Sequence, residues 1–187
     1  IRAEVMEPVV GALADEGTPY RGVLYAGLML TPEGPKVIEF NCRFGDPETQ
    51  VILPRLKSDL LEVMTRTARG DLGDLSLEWD ARPCVGVVMA SGGYPDGYQT
   101  GYPISGLDDV GPDAHLFHAG TALGQDAAGQ DGGVLTDGGR VLTVAALGET
   151  LEDARRTVYS KIAGVGFTDS FYRRDIADSA SMMRAVP

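Results

Sequence analysis

Glu39, Asn41 and Arg43 stand two residues apart in the run Val37-Ile38-Glu39-Phe40-Asn41-Cys42-Arg43. On a β-strand, residues i and i+2 project to the same face, so the three side chains are expected together with Ile38 and Phe40 packed behind them. A carboxylate and an amide oxygen on one rigid face are hard donors that suit Mg²⁺, which commonly takes one or two protein ligands and completes its shell with phosphate and water. Arg43 adds a cation able to grip a phosphate through two parallel bonds. The spacing describes a nucleotide-phosphate site. The same stripe also fits the solvated face of an edge strand, with Arg43 paired locally to Asp46 or Glu48.

The continuation Gly45-Asp46-Pro47-Glu48-Thr49-Gln50 reads as a tight turn, an N-cap at Asp46 and a proline at the first helical position. A helix starting there turns free N–H groups and its positive end toward the strand. Arg43 and Asp46 are therefore candidate substrate-binding residues at one anion-binding corner.

These residues need elements to hold them. A helical pattern runs from Ala3 to Asp15, and Ile1 already stands inside it, which suggests a beginning further upstream. Gly22 to Leu30 reads as a strand, Thr31 to Pro35 as a turn, and Lys36 to Asn41 as the returning motif strand of a hairpin. The helix after Asp46 is cut by Pro54, and another opens at Ser58, presents Leu60, Leu61, Met64 and Ala68, and closes at Gly70. Asp71 to Pro83 reads as a joint between two lobes. Beyond it, Cys84 to Ala90 and His115 to Thr121 read as strands. Gly133–Thr136 and Arg140–Leu147 read as a hairpin across Asp137-Gly138-Gly139, within a stretch from Gly120 to Gly139 rich in glycine turns. Thr150 and Asp153 form a capping box before a helix whose apolar stripe is Leu151, Ala154, Val158 and Ile162.

The chain has 187 residues, 43% of them hydrophobic, enough for one sizeable core or two small ones. A net charge of −11 argues against a nucleic-acid surface, which needs a basic footprint. It also makes locally concentrated positive charge, at Arg43 and at Arg173-Arg174, informative for anionic ligands. No apolar run approaches the roughly 20 residues that span a bilayer, and no signal peptide is recognisable. Cys42 and Cys84 are expected to be buried thiols, and His115 and His118 structural residues of a strand.

The blocks Tyr20-Arg21-Gly22-Val23-Leu24-Tyr25-Ala26-Gly27-Leu28-Met29 and Glu39-Phe40-Asn41-Cys42-Arg43-Phe44-Gly45-Asp46-Pro47-Glu48-Thr49-Gln50 closely resemble the phosphoribosylamine–glycine ligases of the ATP-grasp superfamily. The resemblance continues through Ala90-Ser91-Gly92-Gly93-Tyr94-Pro95, Phe117-His118-Ala119-Gly120-Thr121 and Phe171-Tyr172-Arg173-Arg174-Asp175-Ile176. It implies an α/β (α+β) fold: residues 1–79 as the C-terminal part of an ATP-grasp domain, and 80–187 as a small mixed or antiparallel sheet domain with a covering helix.

The chemistry it implies is ATP-dependent joining of glycine to 5-phosphoribosylamine through an acyl phosphate, in cytoplasmic purine biosynthesis, with neither nucleic acid nor membrane as partner. Glu39 and Asn41 would hold Mg²⁺ or Mn²⁺ between the ATP phosphates. Arg43 would act as the catalytic cation. Arg173 and Arg174 resemble C-terminal basic residues that meet the ribotide phosphate in related enzymes. Two departures accompany the resemblance. The N-terminal half of such enzymes is absent, so this portion is expected to be inactive alone. Tyr25-Ala26-Gly27-Leu28 also lacks the further carboxylate that many ATP-grasp enzymes carry on the preceding strand. A non-catalytic interaction module retaining the motif is an alternative. Another ATP-grasp ligase or carboxylase is a second, which leaves Gly45–Glu48 and Tyr172–Asp175 unexplained.

Overall fold

The computed structural model describes residues 1–125 and 131–178. Part of the glycine-rich stretch after Gly120, and the end of the expected second domain, lie outside the described residues. The chain divides into two compact units: Ile1–Thr49 with Leu56–Trp79, and Gln50–Arg55 with the described residues from Asp80 onward.

In the first unit a π-helical turn at Arg2–Met6 runs into helix α1 (Glu7–Asp15), with Pro8 in the first turn where its missing N–H costs no hydrogen bond. Strands β1 (Tyr25–Thr31) and β2 (Gly34–Asn41) form an antiparallel hairpin in which Tyr25 faces Asn41 and Gly27 faces Glu39. The register shifts after Gly27, because Leu28 pairs with Val37, leaving Ile38 as the bulged residue. The bulge lies before Glu39, so the alternation from Glu39 to Asn41 is intact.

The packing expected behind that pair is absent: Ile38 is 64% exposed and Phe40 38%. Met29, Leu30 and Val37 are exposed as well. Among the described residues Val5 is the one buried hydrophobic side chain of this unit. The hairpin carries exposed apolar side chains that the described residues of its own unit leave uncovered.

Helix α2 spans only Thr49–Ile52 and passes into a 3-10 turn at Leu53–Arg55. It starts later than the sequence suggests. Pro47 follows a cis bond from Asp46 and lies before the helix, and the first turn is closed by Thr49, whose N–H and hydroxyl both donate to the Gly45 carbonyl. Helix α3 (Leu60–Arg69) is capped by Asp59 rather than Ser58. Its carboxylate accepts from the N–H groups of Leu61 and Glu62, and Gly70 ends the helix at φ 73°.

The second unit holds the core. Strands β3 (Cys84–Ala90), β4 (His115–His118), β5 (Thr121–Gln125), β6 (Asp131–Thr136) and β7 (Arg140–Leu147) are followed by helix α4 (Leu151–Ile162). One sheet has the order β3-β7-β4 and another pairs β5 with β6, all antiparallel. The central strand β7 is buried on both faces from Val141 to Ala146. Ala154, Val158 and Ile162 of α4 pack on one of those faces with Val85, Val87 and Met89 of β3. On the other face Gly86 leaves room for Val51, whose Cγ1 would lie 2.7 Å from a Cβ at residue 86. The capping box is present, with Thr150 accepting from the Asp153 N–H and Asp153 from the Thr150 N–H.

Two strand expectations are corrected. His115 to Thr121 is not continuous: the chain turns at Ala119-Gly120, where a Cβ on Gly120 would sit 2.6 Å from the Gly138 Cα. That close backbone approach separates β4 from β5. Gly133–Thr136 and Arg140–Leu147 do not pair as a hairpin either. β6 pairs with β5, while β7, apolar along its length, takes β3 and β4 as neighbours on its two edges.

Candidate functional site

Glu39 and Asn41 converge as their spacing requires: Asn41 Nδ2 donates to Glu39 Oε1 at 2.9 Å. With its nitrogen committed to the carboxylate, Asn41 has Oδ1 left to offer an electrophile. Gly27, opposite Glu39, supplies the space, since a Cβ there would lie 3.1 Å from Glu39 Cγ. Among the described residues no group of three or more His, Cys, Asp and Glu side chains is placed to hold a metal. A carboxylate and an amide oxygen fit a hard ion that draws its other ligands from a bound phosphate and water, and do not fit an ion held by the protein alone.

Tyr25, opposite Asn41, shares that face and reaches a residue the sequence reading left without a role. Its hydroxyl donates to Glu48 Oε1 at 3.1 Å. Burial raises the Tyr25 phenol above its ordinary value, helped by the hydrogen bond and charge of Glu48 and by the charge of Glu39. Glu48 thus joins Tyr25 on the face of the Glu39–Asn41 pair. The cross-strand position of Tyr25 was available from a hairpin register; the return of Glu48 through the Phe44–Pro47 loop was not.

Arg43 is placed differently from the strand-spacing expectation. β2 ends at Asn41, the backbone bends at Cys42-Arg43, and Arg43 Nη1 donates to the Phe44 carbonyl at 3.2 Å. Arg43 forms no ion pair with Asp46 or Glu48 among the described residues. It lines a cleft of about 430 Å³ with Tyr20, Cys42, Phe44, Val63 and Met64. Asp46 is exposed in the loop before α2, and at four residues α2 is too short to act as an anion-binding helix start. The expected corner of Arg43 and a long helix is not formed.

Arg173 and Arg174 lie in the second unit and differ from each other. Arg173 is forked on Asp175, Nε to Oδ1 at 2.9 Å and Nη2 to Oδ2 at 2.6 Å. Those bonds hold the Asp175 carboxyl below its ordinary range. Arg174 instead stands 5.5 Å over the Tyr172 ring and has no carboxylate partner among the described residues. The segment is pinned to α4: Tyr159 donates to the Arg173 carbonyl at 2.8 Å, and Arg155 Nη2 to that of Arg174 at 3.0 Å.

Cys42 is exposed, against expectation, because it follows the last residue of β2; Cys84 is half-buried and burial raises its thiol pKa. His115 and His118 sit exposed at the two ends of β4, with His118 Nδ1 3.1 Å from Thr121 Oγ1.

Comparison with known proteins decides the family. The model described as phosphoribosylglycinamide synthetase, ATP-grasp (A) domain, matches residues 1–49, and that described as phosphoribosylglycinamide synthetase, C domain, matches residues 84–179. The chain belongs to the phosphoribosylglycinamide synthetase family. It is 53% identical over 182 residues to a phosphoribosylamine–glycine ligase of Allochromatium vinosum, covering 96% of this chain and 41% of that protein. A second ligase, from Caldanaerobacter subterraneus, is 50% identical over 177 residues, covering 95% of this chain and 41% of that one.

The family member therefore spans about two-fifths of the length of these curated relatives. A solved phosphoribosylamine–glycine ligase from Thermotoga maritima is similar with a TM-score of 0.74 at 37% identity, over 89% of this chain and 39% of that one. N5-carboxyaminoimidazole ribonucleotide synthetase from the same organism shares the fold, with a TM-score of 0.57 at 16% identity over 88% of this chain and 40% of that one. Among the described residues no helix is long and apolar enough to cross a membrane.

Proposed function

We propose that this chain is the metal-binding and C-terminal portion of an ATP-dependent carbon–nitrogen ligase that joins glycine to 5-phosphoribosylamine. The products are glycinamide ribonucleotide, ADP and phosphate. The observation that carries the reading is the Glu39–Asn41 pair, held on one face of β2 opposite Gly27 inside a segment matching the synthetase ATP-grasp domain. The glycine carboxylate attacks the γ-phosphate of ATP to give glycyl phosphate, and the ribosylamine nitrogen then displaces phosphate at the acyl carbon. A divalent ion bound there supplies charge neutralisation for the phosphates.

The protein's task in such a reaction is to position and neutralise. Glu39 and Asn41 present donor oxygens to the ion and, through their mutual hydrogen bond, keep each other in place. Arg43, at the strand end, is the cation assigned to the transferring phosphoryl group; reaching it means exchanging the Phe44 carbonyl for phosphate oxygens. Asp46, in the same loop, is assigned to the substrate. Of the two C-terminal arginines, Arg174 is assigned to the ribotide phosphate, since Arg173 is already engaged by Asp175. The remainder of the nucleotide site is assigned to the longer protein, and the reaction to the cytoplasm.

The test is a phosphate-release assay on the full-length protein with Mg²⁺, ATP, glycine and phosphoribosylamine. The reading requires release that depends on all four. Release independent of glycine, or ATP turnover with bicarbonate in its place, points to another ATP-grasp ligase or carboxylase. No metal-dependent ATP binding at all leaves an interaction module.

A further inference from the structure

Glu48 is a positioned carboxylate with no basic partner among the described residues. Its Oε1 accepts from the Tyr25 hydroxyl at 3.1 Å, and the other oxygen lies against Gly45 so closely that a Cβ there would overlap it. Gly45 is buried, so the carboxylate rests on backbone that only glycine leaves open. An exposed glutamate ordinarily keeps its rotamer freedom; Glu48 is half-buried and fixed from two sides, at an entropic cost. No lysine or arginine pairs with it among the described residues. Arg43, the nearest basic residue in sequence, turns to the Phe44 carbonyl instead.

The location gives the carboxylate a use. Tyr25 faces Asn41 across the hairpin, and residues directly opposite in an antiparallel pair share a face, so the Tyr25–Glu48 bond extends the Glu39–Asn41 pair along one surface. Resting on the ligase reading above, that surface must hold an amino acid whose carboxylate is activated while its amine stays out of the reaction. The amine is kept harmless as an ammonium, which wants a fixed anion as a partner.

We propose that Glu48, oriented by the Tyr25 hydroxyl and the opening at Gly45, is the substrate-binding residue that receives the ammonium group of the amino-acid substrate. Glu39 and Asn41 then serve the phosphates, and Glu48 selects an amino acid over an acid of the same size that lacks the ammonium group. Gly27 keeps the space opposite Glu39 free of side-chain atoms.

The experiment is steady-state kinetics of the full-length protein carrying Glu48→Gln or Tyr25→Phe, with glycine as substrate and glycolate, its ammonium-free analogue, as competing inhibitor. Glu48→Gln is expected to raise KM for glycine on the order of 10-fold or more, the scale of one charge-assisted hydrogen bond. KM for ATP and the inhibition constant of glycolate should stay within about twofold, so that discrimination between glycine and glycolate collapses. Tyr25→Phe should act in the same direction and more weakly, and provides the test if the Gln variant does not fold. Glycine and glycolate weakened alike, or an unchanged KM for glycine, overturns the assignment. A wild-type protein with no glycine-dependent turnover overturns the ligase reading itself, a different outcome visible before any variant is made.

Discussion

Asn41 donates to the Glu39 carboxylate at 2.9 Å, and both residues stand opposite positions that cannot crowd them, Gly27 as a bare backbone and Tyr25 as a ring drawn toward Glu48. The pair is the part of the proposed site that owes most to local geometry: one strand, one face, one hydrogen bond. Removing either member exposes what the other does.

Glu39→Ala in the full-length protein should lower kcat by on the order of 10²–10³, the scale of losing one group that stabilises developing charge. Asn41→Ala should lose less, because a neutral amide oxygen is the weaker ligand, but should raise the Mg²⁺ concentration needed for half-maximal rate. Magnesium titrations of the two variants check this. A near-normal rate for Glu39→Ala would remove the metal assignment.

The two C-terminal arginines should separate kinetically. Arg174→Ala is expected to raise KM for phosphoribosylamine about 10-fold or more while leaving KM for ATP nearly unchanged, the loss of one charge-assisted phosphate contact. Arg173→Ala should change both by less than about threefold, since an exposed ion pair contributes little. Equal effects on both substrates, or the larger effect at Arg173, would contradict the division drawn from Asp175 and Tyr172.

Helix and strand positions were legible wherever the pattern was local. The α4 stripe, its capping box and the period-two placement of Glu39 and Asn41 follow from spacing alone. The pairing of strands was not, because β7 chooses its neighbours by burial on two faces and not by sequence proximity. Tight approaches such as Gly120 on Gly138 leave no periodic signal. Arg43 shows the same limit: spacing predicts a shared face only while the strand lasts, and β2 stops at Asn41. Glu48 was present in the motif, but its partner lies 23 residues away.

Stability of the second unit should depend on pH through α4. Its Thr150 hydroxyl, with the Arg156 guanidinium adding to it, holds the Asp153 carboxyl below its ordinary range. The folded-state pKa lies below that of the unfolded chain, about 3.9, so the stabilisation is complete above that value and is lost as pH falls through the folded pKa. Asp153→Asn should therefore be less stable than wild type at pH 7, with the gap closing below about pH 4. Thr150→Ala should cost about 1 kcal/mol at neutral pH through the lost cap. Urea denaturation at several pH values measures both. A gap for Asp153→Asn that widens in acid would show that the ionised Asp153 carboxylate does not stabilise the fold.

The exposed apolar side chains of the hairpin should be detectable in solution. With Met29, Leu30, Val37 and Ile38 each 44–64% exposed, the isolated chain is expected to bind an apolar dye such as ANS. Ile38→Glu should reduce dye binding and improve solubility of the isolated chain without lowering its thermal midpoint. The same substitution in the full-length protein should destabilise it by several kcal/mol if Ile38 is covered there, since it would bury an unpaired charge. Unaltered stability of the full-length variant would show that Ile38 stays in solvent.

The chain alone should neither ligate nor hold nucleotide tightly. Its described residues offer a metal ion one carboxylate and one amide from β2, with no group of three acidic or imidazole ligands elsewhere. Mg²⁺ surrenders its waters reluctantly and binds such a pair weakly until phosphate oxygens complete the shell. The phosphates themselves meet a chain of net charge −11, and the curated relatives devote about three-fifths of their length to sequence this chain lacks. Each 1.4 kcal/mol of missing contact is about tenfold in affinity, so losing several such contacts moves a micromolar complex beyond the millimolar range. Calorimetric titration of the 187-residue chain with Mg-ATP should therefore show no saturable heat below about 1 mM, and a phosphate-release assay with glycine and phosphoribosylamine no turnover. Micromolar binding would place the whole nucleotide site inside this chain and displace Glu39 and Asn41 from the part assigned to them.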